Sequence, residues 1–119
     1  MQIEGAATMI RISALYPNEA GSRFDAADYL GRHEPLAREI LGRHGLLDIR
    51  STTGLANLDG APPAYWAISE LVFSSRAQFD APMASCGEAI FADIPNYTSV
   101  TPILQISTMA GDTPDSTGA

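Results

Sequence analysis

What most restricts the folds open to this chain is the order in which its hydrophobic period changes. Residues 8–16 alternate, with Ile10, Ile12, Ala14 and Tyr16 on one face and Met9, Arg11, Ser13 and Leu15 on the other, as a strand requires. The breaker Pro17-Asn18-Glu19-Ala20-Gly21-Ser22 ends it. After Asp25, a helix N-cap with Asp28 three residues on, the period widens. At about 100° per residue Ala26, Tyr29, Leu30, Leu36, Ala37, Ile40 and Leu41 form one stripe, and Gly45 is placed to follow the helix as its C′ residue. Residues 46–53 are rich in β-branched side chains but half polar, as an edge strand is. Residues 54–64, with Asn57, Asp59-Gly60 and Pro62-Pro63, read as a mobile connection. Residues 65–73 alternate again, setting Trp66, Ile68, Glu70 and Val72 against Tyr65, Ala67, Ser69, Leu71 and Phe73. Ser75 with Gln78 opens a second helical region, and Pro82 is expected to divide it into two pieces or to bend a helix running to about residue 92. A turn at residues 93–97 leads to a fourth strand over residues 98–109.

That order, β-α-β-β-α-β, is the α+β ferredoxin-like arrangement. Right-handed crossovers put both helices on the same face of a four-stranded antiparallel sheet. The opposite face stays bare in one copy, carrying apolar residues with some of Arg11, Ser13, Glu70, Gln105 and Ser107. Packing it against a twin predicts a homodimer. An Arg11–Glu70 pair across neighbouring strands would fix the register of that dimer rather than catalyse anything. Which strand parity faces the helices stays open.

Two features mark the first helix for function. His33 lies on the apolar stripe, away from Arg32, Arg38 and Glu39, and Pro35 follows it by two residues. Pro35 removes a donor and crowds the Gly31 carbonyl, so a kink and a freed carbonyl are expected beside an inward imidazole. Burial disfavours a charged imidazole and a nearby carboxylate favours it, a balance suited to general acid–base work. Asp93 is the candidate carboxylate, with a role as a turn residue bonding local amides as its alternative. Tyr16 and Tyr97 are candidates to polarise a carbonyl, and Trp66, Tyr29, Leu36 and Ile90 to contact an apolar ligand; plain packing is the competing account of these. His33 itself has a bland alternative, a satisfied core residue bonded to the Gly31 carbonyl. His44 reads as a helix C-terminal cap.

The 119 residues make one domain over 8–109, with a short N-terminal extension at 1–7 and a flexible, Gly-, Ser- and Thr-containing tail at 110–119. A net charge of −7 argues against nucleic acid and against an anionic membrane surface. No apolar run is long enough to span a bilayer and the N-terminus has no secretory pattern, so a cytoplasmic location is expected. The single cysteine, Cys86, shares a stripe with Met83, Gly87, Ile90 and Ile94 and reads as core. Absence of HExxH, CxxC, P-loop and GxGxxG patterns points away from a metal and from a nucleotide cofactor. Haem stays open, because one helical His suffices as an axial ligand.

Three stretches carry a resemblance: Ile10-Arg11-Ile12-Ser13-Ala14-Leu15-Tyr16-Pro17-Asn18, then Tyr29-Leu30 to His33-Glu34-Pro35-Leu36, then Ala92-Asp93-Ile94-Pro95-Asn96-Tyr97-Thr98. Together they make the chain similar to the EthD family of the dimeric α+β barrel superfamily. The family takes its name from a protein needed for ethyl tert-butyl ether degradation. Related barrels include cofactor-free monooxygenases, polyketide cyclases, lactone isomerases, decarboxylases and haem-degrading enzymes. The resemblance implies a homodimer with a small-molecule pocket between helices and sheet, His33 as the pocket residue of an H-x-P-L motif, and Asp93 and Tyr97 nearby. The expectation is a cofactor-independent catabolic enzyme for an apolar oxygenated molecule, using His33 as general acid–base. The alternative is a non-catalytic carrier of a hydrophobic metabolite or haem.

Overall fold

The computed structural model describes residues 8–109, so the N-terminal extension and the tail lie outside it. Its strands are β1 (Ile10–Pro17), β2 (Leu46–Thr53), β3 (Tyr65–Phe73) and β4 (Ile103–Thr108), ordered β2-β3-β1-β4 with all neighbours antiparallel. This is the ferredoxin-like order. In β1 the alternation becomes burial: Ile10, Ile12, Ala14 and Tyr16 face the helices, and the residues between them face away. Cross-strand partners share a face, so Arg11 opposite Ser107, and Ser13 opposite both Gln105 and Glu70, place the five polar residues together on the open side. Arg11 and Glu70 approach to 3.5 Å there.

The first helical run begins as expected, with Asp25 accepting from the Asp28 N–H at 3.0 Å. It is not one α-helix with a kink. A short α1 (Ala26–Asp28) passes into a π-helical turn (Tyr29–His33) and then into α2 (Glu34–Gly42). The Glu34 N–H reaches back five residues to the Tyr29 carbonyl, the wider π bond. Widening the turn just before Pro35 lets the proline ring clear the preceding carbonyls. Gly45 does adopt a positive φ, 103°, but two residues beyond the Arg43 cap, in the turn into β2.

One further expectation is narrowed and one corrected. Of the two outcomes expected at Pro82, division into two pieces is excluded: α3 (Arg76–Ala92) is continuous from its Ser75 cap, and Ser85 and Cys86 both bond the Pro82 carbonyl. The last strand starts at Ile103 rather than at 98, because the chain first ties itself to the segment before α1. Thr98 Oγ1 and the Ser99 N–H both donate to the Arg23 carbonyl, at 2.7 and 3.1 Å. That detour positions the site. With the Asp25 N–H bonded to the Tyr97 carbonyl at 2.7 Å, it pins the turn after α3 against the start of the first helical run.

Candidate active site

Buried side chains between sheet and helices form two apolar clusters, one around Tyr16, Tyr29 and Tyr97 and one around Ile12, Leu41 and Phe73. Between them lies a cavity of about 280 Å³, near the lower end of small-molecule sites. Its wall is mostly aliphatic and aromatic; Tyr16, Tyr29, His33, Glu34 and Ser69 are its polar or titratable members.

His33 and Asp93 come from distant parts of the chain and meet at 2.7 Å, Nδ1 to Oδ2, with 6% and 7% of each residue exposed. The π turn and the 3-10 turn at Ile94–Asn96 bring them together. Asp93 Oδ1 also accepts from Arg32 Nη1 at 2.6 Å and Asn96 Nδ2 at 2.9 Å. Arg32 is fixed in turn by two 2.8 Å bonds from Nε and Nη2 to the two Asp28 carboxylate oxygens. Burial alone would raise the Asp93 carboxyl, but the bonds from Arg32, Asn96 and His33 outweigh it and hold its pKa at about 2. An ionised carboxylate only accepts, so His33 Nδ1 is the donor, and the tautomer this bond selects carries its lone pair on Nε2. The ring lies against Tyr29, near-parallel with centroids 5.7 Å apart, and against Tyr97 at 4.6 Å. His33 borders the cavity, and none of its described hydrogen bonds uses Nε2.

The tyrosines form a second polar group. Tyr16 and Tyr97 hydroxyls bond at 2.6 Å, and Tyr29 bonds Ser69, which bonds Ser51 at 2.7 Å. Burial pushes all three phenols up, so they stay protonated and able to donate at neutral pH.

Of the candidate residues, His33, Tyr16, Tyr29 and Ile90 border the cavity. Asp93 and Tyr97 stand behind that wall and hold His33 and Tyr16. Leu36 and Trp66 lie outside it: Leu36 is half-buried on α2, and Trp66 sits where the β1–β3 register shifts, stacked 6.2 Å from Phe24 with its Nε1 donating to Ser22. The sequence reading missed Ser69, Glu34 and Arg32. Ser69 was legible in parity, sharing a face with Ala67, Leu71 and Phe73. Arg32 was not, because its 46%-exposed side chain reaches the site by folding back along the helix. Among the described residues no cluster of three or more His, Cys, Asp or Glu is arranged to hold a metal ion, and no helix is long and apolar enough to cross a membrane.

A four-stranded antiparallel sheet backed by helices on one face, with a His–carboxylate dyad opening on an apolar hollow, defines a ferredoxin-like α+β protein with a small-molecule-sized cavity. No protein-family model matches the chain, and no curated protein matches it either. Among solved structures it is similar to an EthD-like protein of Ralstonia eutropha, at 37% identity and a TM-score of 0.81, covering 92% of this chain and 98% of that one. An ethyl tert-butyl ether degradation (EthD) family protein of Bacillus halodurans is 22% identical, with a TM-score of 0.69 over 85% of this chain and 98% of that one. The chain belongs to the EthD-like family. SnoaB, a cofactor-independent oxygenase from Streptomyces nogalater, shares the fold at 13% identity and a TM-score of 0.61, over 92% of this chain and 99% of its own.

Proposed function

We propose that this protein is a cofactor-independent enzyme that moves a proton on a small, apolar, oxygenated molecule held in the cavity. The observation that carries this reading is the His33–Asp93 pair, whose geometry leaves Nε2 as a base beside a mostly apolar wall. In the proposed step, Nε2 takes a proton from an acidic C–H or O–H of the substrate. The imidazolium so formed is stabilised by the Asp93 carboxylate. With Tyr97 donating to Tyr16, the Tyr16 proton is free to bond the substrate carbonyl as charge builds on its oxygen. An apolar ligand filling the cavity would displace water from it and so strengthen both interactions.

SnoaB, by description a cofactor-independent oxygenase, supports the view that this fold accommodates such chemistry without a prosthetic group. Haem fits the cavity poorly: the lining offers the Glu34 carboxylate and no Arg or Lys to meet haem's own carboxylates. We further propose that the protein works as a homodimer paired through its open sheet face.

Screening wild type against apolar ketones, lactones and phenols tests the reading. For any compound turned over, His33→Ala is expected to lower kcat by about 10²–10⁴-fold with the fold retained. A variant that keeps the wild-type rate ends the assignment.

A further inference from the structure

Among the described residues, Glu34 is the only acidic one on the cavity wall. Its side chain is 20% exposed, and its nearest cation, Arg38 Nη2, stands 3.8 Å away, beyond hydrogen-bond reach. That same nitrogen is used elsewhere, donating to the Ile49 carbonyl at 3.2 Å. Glu34 also adds to the upward push on the Tyr29 hydroxyl, another polar member of the wall. A carboxylate that is mostly buried, borders a hollow of Ile, Leu, Phe and Met side chains and takes no hydrogen bond from a described residue is an acceptor that a ligand donor can use in place of water. A full cation would have to shed its water onto those apolar walls, so a neutral donor suits the site better.

We propose that Glu34 is the specificity-determining residue of the cavity, selecting ring-sized apolar ligands that carry a phenolic or enolic hydroxyl. The inference rests on the cavity being the ligand site, and it adds a second point of recognition. The hydroxyl donates to Glu34 while a carbonyl, where the ligand has one, accepts from Tyr16.

Two probes of similar body test it: 2-naphthol, which has the donor, and 2-methoxynaphthalene, which lacks it. Affinities are read by NMR titration, with the His33 imidazole signals reporting occupation of the cavity and a thermal melt confirming that each variant is folded. Wild type is expected to bind 2-naphthol at least about tenfold more tightly, the size of one hydrogen bond to a charged group. Glu34→Gln keeps a neutral acceptor of the same shape and should retain only part of that preference. Glu34→Leu should remove it, with 2-methoxynaphthalene binding unchanged in both variants. Equal affinities in wild type, or a preference that survives Glu34→Leu, would overturn the role of Glu34 while leaving the cavity as a ligand site. Should neither probe shift the His33 signals, the cavity reading falls first and the selectivity with it.

Discussion

Three donors converge on the Asp93 carboxylate, and they differ in how far water can weaken them. The Arg32 guanidinium is nearly half exposed, so much of its attraction is screened, whereas His33 is buried with Asp93. The folded pKa of Asp93, about 2, lies below the value of ~3.9 for a free Asp. Its contribution to stability is therefore fully present above the unfolded pKa and is lost as pH falls through about 2. Denaturant titrations of wild type and Asp93→Asn should show a stability gap that narrows as pH falls below about 4. A gap that stays constant to pH 2 would mean the charge of Asp93 does no stabilising. The pairing with His33 was legible in residue types and in the family resemblance. The Arg32 clamp was not, because a stripe analysis assigns a long cationic side chain to water and ignores its reach.

Between the residues and the sheet, the π turn is the element that sequence periodicity could not show. A window of apolar positions registers a mean of 3.6 residues per turn, and one widened turn inside it shifts only a few side chains. Pro35 announced a defect near Gly31 without saying which kind. The shift lets Arg32 and His33, adjacent in sequence, take the two oxygens of one carboxylate. Gly31 need not be glycine for this: φ is not positive there, and an added Cβ would meet nothing within 4 Å. Gly31→Ala is thus expected to stabilise the protein by about 0.5–1 kcal/mol, seen as a higher denaturant midpoint, with the His33 NMR signals unchanged. A lower midpoint would show that the π turn depends on glycine's freedom. Gly54 is the opposite case. Its Cβ would run into the Tyr65 carbonyl oxygen and lie 2.7 Å from Pro63 Cβ, where the loop of residues 54–64 returns to β3. Gly54→Ala should cost about 1–3 kcal/mol in the same measurement, and an unchanged midpoint would show that the loop gives way. Strands β1 and β3 were legible because their period of two matches burial on one face. Sequence could not choose between a divided and a continuous helix at Pro82, because a proline rule derived from isolated helices takes no account of burial, and Pro82 is among the most buried side chains.

On the scale of the whole molecule the sheet is covered on one face only, and the composition of the other face decides what must cover it. Leu15 stands opposite Ile68 on β3 and Ile103 on β4, an apolar trio across three strands, with Ile103 53% exposed. Next to it Arg11 reaches Glu70 at 3.5 Å, yet Arg11 Nε is buried and finds no partner among the described residues. Apolar centre and polar border together make a surface suited to pairing with its own image, since in a two-fold interface each patch meets the same patch. The protein should then sediment at about twice 12.6 kDa, and its melting temperature should rise with concentration as mass action requires. Ile68→Lys puts a charge into the trio, on a side chain that is only half-buried in a single copy. It should release folded single chains whose melting no longer depends on concentration. The cavity lies on the opposite side of the sheet, so 2-naphthol should bind the single chains as it binds wild type. A wild type that sediments as one chain at tens of micromolar would remove the pairing. Loss of probe binding in Ile68→Lys would instead show that assembly shapes the cavity, tying the two faces of the sheet to one function.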